Sequence, residues 1–218
     1  MNNQIFREID SELREERLKN LWKRYGIYLI GACVAIVVTV ASMQAWEGWK
    51  KKSYGKISME FESLLQNIEK QDPERAIERL KKFANKSPDG YRALANWQIA
   101  NLLLEQGKQG EAAQVLQMEA KNRKLPRLIR DISLLAEVSA LVDSTSSEML
   151  KNKLATMLSP THPLRFSARD LIGQSLYREG EYQQSAELYR QILRERNAPP
   201  SLIRRSEMML VLIGDKAE

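Results

Sequence analysis

One uncharged apolar run interrupts a chain that otherwise alternates apolar and polar positions with a helical period. From Gly26 to Ala45 the sequence reads GIYLIGACVAIVVTVASMQA, with no Asp, Glu, Lys, Arg or His. As an α-helix, a run of this length spans about 30 Å, the thickness of the hydrocarbon core of a bilayer. The sequence therefore predicts a single transmembrane helix over residues 25–46.

The residues on both sides of the run are typical of a membrane interface. Aromatic rings prefer the depth of the lipid headgroups, and lysines are attracted to headgroup phosphates. The predicted membrane-interface residues are Trp22, Tyr25, Trp46, Trp49, Lys50, Lys51 and Lys52. The lysines belong to a basic juxtamembrane linker over 47–56, so membrane lipid is an expected partner.

Two other interpretations of the run stay open. A cleaved signal peptide has a short basic leader, whereas residues 1–24 carry nearly as many acids as bases. A buried helix of a soluble protein is usually shorter and less uniformly apolar. We therefore favour an uncleaved signal-anchor. The positive-inside rule does not orient it, because basic residues are nearly balanced across the run.

The rest of the chain, residues 57–218, has the composition and periodicity of helices. Ala, Leu, Glu, Gln, Lys and Arg dominate, and no run of β-branched residues indicates a strand. Turn-forming residues predict breaks at 70–73, 85–90, 105–110, 122–126, 143–147, 159–163, 178–181 and 197–201. The segments between these breaks have the lengths of stacked helical hairpins joined by short loops.

Two of these predicted hairpins align with each other when Gly107 is placed on Gly180. Glycine at these positions suits the left-handed cap that ends a helix. Small residues at aligned positions allow the two helices of a hairpin to approach closely, and large ones fill the layer between them. The aligned pairs are Ala100/Gly173, Ala112/Ser185, Ile99/Ile172, Leu103/Leu176 and Leu116/Tyr189.

This pattern resembles the tetratricopeptide repeat. The segment Phe166–Pro199 matches it best, Ala93–Pro126 fairly, and Ile57–Gly90 weakly, whereas 126–158 has little more than the length. A terminal helix over Ser201–Ile213 would cover the last hairpin. The predicted fold is therefore all-α, with an N-terminal single transmembrane helix followed by a tetratricopeptide-like helical-hairpin solenoid over 57–218.

Composition removes several classes of function. The net charge is +6 and the pI is about 9.4. The basic residues are mostly interleaved with acids on the predicted helices, which is typical of a solvated face. This pattern does not favour nucleic-acid binding. The single cysteine, Cys33, lies inside the apolar run. The single histidine, His162, lies in a proline-bounded loop where we expect it to be solvated. A histidine-ligated metal site is thus not expected.

Motifs for catalysis or cofactor binding are missing from the sequence. It has no P-loop, GxGxxG, GxSxG, HExxH or CxxC. The carboxylates mostly stand at helical spacing beside lysine or arginine, as i,i+4 pairs do. We therefore predict a non-enzymatic protein with no catalytic residue, no cofactor and no metal.

Helical-hairpin repeats bind partners through a concave surface built from the first helix of each hairpin. The alignment places eight residues on that surface, and the Trp, Tyr and Arg among them are residue types that anchor interfaces. The predicted partner-binding residues are Leu94, Trp97, Asn101, Leu104, Asp170, Gln174, Tyr177 and Arg178. Core packing remains an equal alternative for Trp97.

The whole layout resembles the bacterial family of the ancillary subunit of the Sec translocon, whose members carry a signal-anchor followed by periplasmic tetratricopeptide repeats. The resemblance implies an inner-membrane protein with residues 1–24 in the cytoplasm and the repeats in the periplasm. It also implies three protein partners: the translocon, a membrane-bound periplasmic chaperone and nascent secretory proteins. A scaffold for cell-envelope assembly or cell division is the alternative function.

Overall fold

The structure is a computed structural model that describes residues 54–68 and 71–214. The chain divides into two compact units, Met1–Met59 and Glu60–Glu218. The predicted transmembrane segment, the tail before it and the membrane-interface residues lie outside the described residues. Within the described ranges, no helix combines the length and apolarity that a bilayer crossing needs.

The described residues form nine α-helices and one 3-10 turn, with no strand. The all-α prediction is therefore confirmed for this part of the chain. The helices are α1 (54–68, of which 60–68 belong to the second unit), α2 (Pro73–Lys86), α3 (Asp89–Glu105), α4 (Gln109–Lys121), α5 (Arg127–Leu141), α6 (Ser147–Leu154), α7 (Arg165–Arg178), α8 (Tyr182–Arg194) and α9 (Pro200–Ile213), with the 3-10 turn at Ala155–Leu158.

Two glycines end first helices in the predicted left-handed conformation. The φ angle is 73° at Gly107 and 83° at Gly180. After each glycine the next N–H reaches back to an early carbonyl of the last turn: the Lys108 N–H donates to the Leu103 carbonyl at 2.8 Å, and the Glu181 N–H to the Leu176 carbonyl at 2.9 Å. This is the Schellman arrangement, and it explains why α3 and α7 stop where they do.

The α7–α8 hairpin is held by a close approach that the small aligned residues predicted. A Cβ atom on Gly173 would lie 2.9 Å from Cζ of the buried Tyr189 ring. The Ser185 hydroxyl donates to the Gly173 carbonyl at 2.7 Å. Ala100 and Ala112 are buried at the matching places of the α3–α4 hairpin. The small-residue prediction is thus confirmed in both hairpins.

The third hairpin, α5–α6, departs from a regular repeat. Helix α6 is only 8 residues long and continues into the 3-10 turn. Its buried Leu150 and Leu154 join Met157 in a core with residues of α5 and α7, while α5 packs more extensively on α4 than on α6. The sequence between 126 and 158 carries almost none of the repeat signature. The irregular packing of this hairpin agrees with that weak match.

Candidate protein-binding surface

Three of the predicted binding residues give helix α3 an exposed face. Leu94 is 40% exposed, Leu104 is 36% exposed, and Asn101 is exposed between them. Their spacing places them on one side of the helix. An exposed apolar stripe of this kind can bury itself against a partner, so these residues remain our candidates for contact.

Trp97 stands on the same face but is engaged within the fold. Its indole Nε1–H donates a hydrogen bond to the Ser133 hydroxyl of α5 at 2.9 Å. Ser133 is fully buried, and its own hydroxyl donates to the Ile129 carbonyl at 2.9 Å. Trp97 therefore links the first helices of two successive hairpins.

Asp170 occupies the position in α7 that aligns with Trp97 in α3, and it too forms a hydrogen bond to another helix. It is 4% exposed and accepts hydrogen bonds at 3.0 Å from Arg205 of α9 and from Gln174. Burial raises the pKa of the Asp170 carboxyl, and the Arg205 guanidinium opposes that rise. Asp170 thus joins α7 to the terminal helix, and Gln174 supports its carboxylate from within α7.

Arg178 supports the loop between α5 and α6. Its guanidinium donates to the Thr145 carbonyl at 2.5 Å and to the Asp143 carbonyl. The adjacent Glu179 accepts from the Ser147 N–H at 2.7 Å and from the Ser147 hydroxyl. These two hydrogen bonds lower the pKa of the Glu179 carboxyl. Tyr177 packs edge-on against Tyr182, with ring centroids 5.4 Å apart.

The predicted set therefore divides in two. Leu94, Asn101 and Leu104 are exposed on α3, whereas Trp97, Asp170, Tyr177 and the exposed Arg178 contact other elements, and Gln174 bonds Asp170 within α7. Partner binding by any of the eight stays a prediction.

His162 is not solvated, and that prediction was wrong. Its side chain is 8% exposed, because the proline-bounded loop folds back onto α5. Nδ1 accepts from the Leu164 N–H at 3.2 Å, and Nε2 lies 3.2 Å from the Asp131 carboxylate. Because Nδ1 accepts, Nε2 carries the proton and donates to Asp131. Neither nitrogen is left to activate a nucleophile, so this pair fixes the loop.

A cluster of charges that the sequence reasoning missed closes the α7–α8 hairpin. Arg165 donates to the Glu195 carboxylate at 2.6 Å, and Arg169 donates to its other oxygen. These two guanidinium groups hold the pKa of Glu195 below its usual range. The only signal in the sequence was an arginine at aligned positions, Arg92 and Arg165, because Glu195 stands 30 positions from Arg165 along the chain.

The corresponding end of the α3–α4 hairpin has different chemistry. Glu119, which is 2% exposed, accepts from the Asn96 amide at 2.7 Å, and the Arg92 guanidinium lies 3.6 Å away. Here the acid is on the inner face of α4, at the position that Ile192 fills in α8. This end of the hairpin opens into a cleft, described below.

Two clefts border the second helices of these hairpins. One, of about 540 Å³, lies between α6, α7 and α8, and its apolar lining is Leu158, Ile172, Leu176 and Leu188. The other, of about 390 Å³, lies between α2, α3 and α4 and has both polar side chains and an apolar lining of Ala84, Ile99, Val115 and Met118. No group of His, Cys, Asp and Glu suited to a metal ion occurs in the described part of the chain.

Comparison with known families agrees with this architecture. The model of the tetratricopeptide repeat-like domain matches residues 19–199. The chain belongs to this family. Its repeat domain is a protein–protein interaction module, and protein partners are expected in general. No match was found among the curated proteins or among the solved structures.

Proposed function

We propose that the protein is a membrane-anchored interaction module that acts as an ancillary subunit of the Sec translocon and cooperates with periplasmic chaperones. The family match is the observation that carries the proposal. It runs from residue 19 to 199 and so includes both the uncharged apolar run and the four hairpins. A predicted anchor and a repeat domain within one family match favour a module that works next to a bilayer.

The exposed face of α3 supports a role with incompletely folded chains. Leu94 and Leu104 are exposed, and Leu128 near the start of α5 is 48% exposed. Exposed leucines can shelter apolar segments that an emerging secretory protein has not yet buried. Asn101 among them supplies an amide for a main-chain hydrogen bond.

Membrane topology is the first experiment. Alkaline phosphatase and a reporter that is active only in the cytoplasm are fused in turn to the C-terminus. The proposal expects phosphatase activity and a silent cytoplasmic reporter. An active cytoplasmic reporter would overturn the periplasmic placement and with it the chaperone role.

Site-specific crosslinking in cells is the second. A photo-reactive amino acid replaces Leu94 or Leu104, which are exposed, and Glu111 on α4 serves as the matched exposed control. We expect the two leucine positions, and not Glu111, to capture translocon subunits, a chaperone or nascent chains. Capture of cell-wall synthases, together with midcell enrichment, would replace this proposal by the scaffold alternative.

A further inference from the structure

The cleft between α2, α3 and α4 contains polar atoms that the fold leaves without partners. We call it the α2–α4 cleft. Its polar lining is Lys81, Asn85, Arg92, Asn96, Glu119 and Asn122. These residues come from all three helices and the end of α4, and most of them are hydrogen-bonding amides or cations.

Glu119 and Asn122 stand one turn apart, and in each residue only one of the two polar side-chain atoms has a hydrogen-bond partner. Glu119 Oε1 accepts from Asn96, while Oε2 is buried without a partner. Asn122 Oδ1 accepts from the Lys124 N–H at 3.1 Å, while Nδ2 is buried without a partner. Burying a polar atom without a partner destabilises the fold, so a pair of such atoms in one cleft calls for an explanation.

The α7–α8 hairpin of the same protein shows the closed alternative. There Ile192 stands at the aligned position of Glu119, and Glu195 stands at that of Asn122. Glu195 is saturated by Arg165 and Arg169. No side-chain atom of α8 is among the buried unpartnered atoms of the described residues, although Asp170 Oδ1 of α7 is one of them. The repeat architecture itself therefore does not require the open pair.

We propose that the α2–α4 cleft binds an extended peptide segment of a partner protein, with the main-chain N–H and C=O of one residue of that segment bridging Glu119 and Asn122. The peptide C=O accepts from Asn122 Nδ2, and the N–H of the bound segment donates to Glu119 Oε2. One residue of an extended segment presents a donor and an acceptor on the same side of the chain, whereas a carboxylate supplies no donor and an ammonium supplies no acceptor. The inference rests on the protein-binding role and gives it a site.

The rest of the cleft sets a preference for the ligand's side chains. Arg92 is paired with Asp89 and lies 3.6 Å from Glu119, so Lys81 is the cation that favours an acidic residue beside the bridging residue. Met118, which is 59% exposed, also lines the cleft. Its unbranched thioether side chain can change rotamer and admit a peptide to atoms that are shielded from water in the unliganded structure.

The test uses the purified full-length protein in detergent micelles and fluorescent peptides. The probe is a pool of end-blocked octapeptides with Asp at alternate positions and random residues between, measured by fluorescence polarisation. We expect saturable binding that weakens about tenfold or more when Glu119→Ile installs the residue of the closed hairpin, since a charge-assisted hydrogen bond is lost. Asn122→Ala should weaken binding several-fold. Glu187→Gln, in the other cleft, is the matched control and should bind as wild type does.

A second probe tests recognition of the main chain directly. The same peptides with N-methylated backbones lack the N–H donors, and they should bind at least several-fold more weakly. Circular dichroism and the Tm of each variant show that it is folded. The proposal is overturned if Glu119→Ile binds the peptides as wild type does, or if wild type binds the N-methylated pool equally well. It is also overturned if no peptide binds, which would mean that the cleft holds only water. Translocon capture from Leu94 that persists in these cases would leave the proposed function standing.

Discussion

The indole N–H of Trp97 on α3 donates a hydrogen bond to the hydroxyl of Ser133 on α5 at 2.9 Å, so a residue on the surface expected to contact ligands fastens one hairpin to the next. The aligned Asp170 does likewise through Arg205 of α9. The same aligned position of the first helix therefore contributes a hydrogen bond to the next unit in both places, with different chemistry each time. Its substitution should change stability before it changes binding.

Ser133→Ala tests this link. The change leaves the half-buried indole N–H of Trp97 without its partner, and we expect a loss of about 1–2 kcal/mol in the free energy of unfolding. Chemical denaturation of the full-length protein measures it. Ser139→Ala, an exposed serine of the same helix, is the control and should change stability by less than about 0.5 kcal/mol. Equal effects of the two substitutions would show that the bond contributes nothing.

Gly173→Ala tests the close approach of α7 and α8. The new Cβ atom would lie 2.9 Å from Cζ and 3.1 Å from Cε2 of the buried Tyr189 ring, so the ring or the helix must move. We expect a loss of about 1–3 kcal/mol, the usual cost of overpacking a core. The measurement is the shift in Tm.

The control for that prediction is Gly110→Ala in the first turn of α4. No atom lies within 4 Å of the added Cβ, and the φ angle there is not in the left-handed region. Alanine should therefore stabilise the protein slightly, by up to about 1 kcal/mol, because it reduces the entropy of the unfolded chain. A loss at Gly110 as large as that at Gly173 would contradict the steric explanation.

The sequence predicted those parts of the fold that depend on local chemistry. The helix ends follow from proline and glycine. The caps at Gly107 and Gly180 follow from glycine, the one residue type that adopts the left-handed conformation freely. The small positions Ala100 and Gly173 could be found because an internal repeat aligned them. Each of these signals lies within one helix or one hairpin.

Contacts between hairpins leave no comparable signal in the sequence. The partners of Trp97, His162 and Arg178 stand more than 30 positions away along the chain. No local pattern distinguishes a tryptophan that faces a ligand from one that donates to the next helix. The open pair at Glu119 and Asn122 was missed for the same reason, since only the packed structure shows which polar atoms lack partners.

Arg205→Ala should destabilise the protein in a pH-dependent way. Burial raises the folded-state pKa of Asp170, and removal of Arg205 raises it further. When Asp170 is protonated, Arg205 contributes little to stability. When Asp170 is ionised, the variant must bury its carboxylate without the guanidinium that pairs with it. We expect a loss of about 1–3 kcal/mol at pH 7 that shrinks as the pH falls through the raised pKa.

Unfolding measured from pH 7 down to pH 4 checks that prediction. The stability of the variant should rise relative to wild type as the pH is lowered, because its folded state binds a proton more tightly than its unfolded state does. Arg204→Ala removes an exposed charge from the same helix and should show no such trend. A difference that stays constant with pH would show that Arg205 acts through packing alone.

Glu195→Gln should have the opposite pH dependence. Hydrogen bonds from Arg165 and Arg169 hold the folded-state pKa of Glu195 below its unfolded value. Its contribution to stability is therefore complete above the unfolded pKa and is lost as the pH falls through the folded one. We expect the glutamine variant to lose about 1–2 kcal/mol at pH 7 and to approach wild type in acid.

The matched control is Glu187→Gln on the same helix. Glu187 pairs with Arg194 at 3.3 Å, but the two side chains are 45% and 67% exposed, so solvent screens the pair and its loss should cost less than about 0.5 kcal/mol. Thermal unfolding of both variants between pH 7 and pH 3 makes the comparison. If both variants lost the same stability at every pH, the Glu195 cluster would be no more than another surface ion pair. A larger, acid-sensitive loss at Glu195 would instead show that this charge cluster closes the last hairpin.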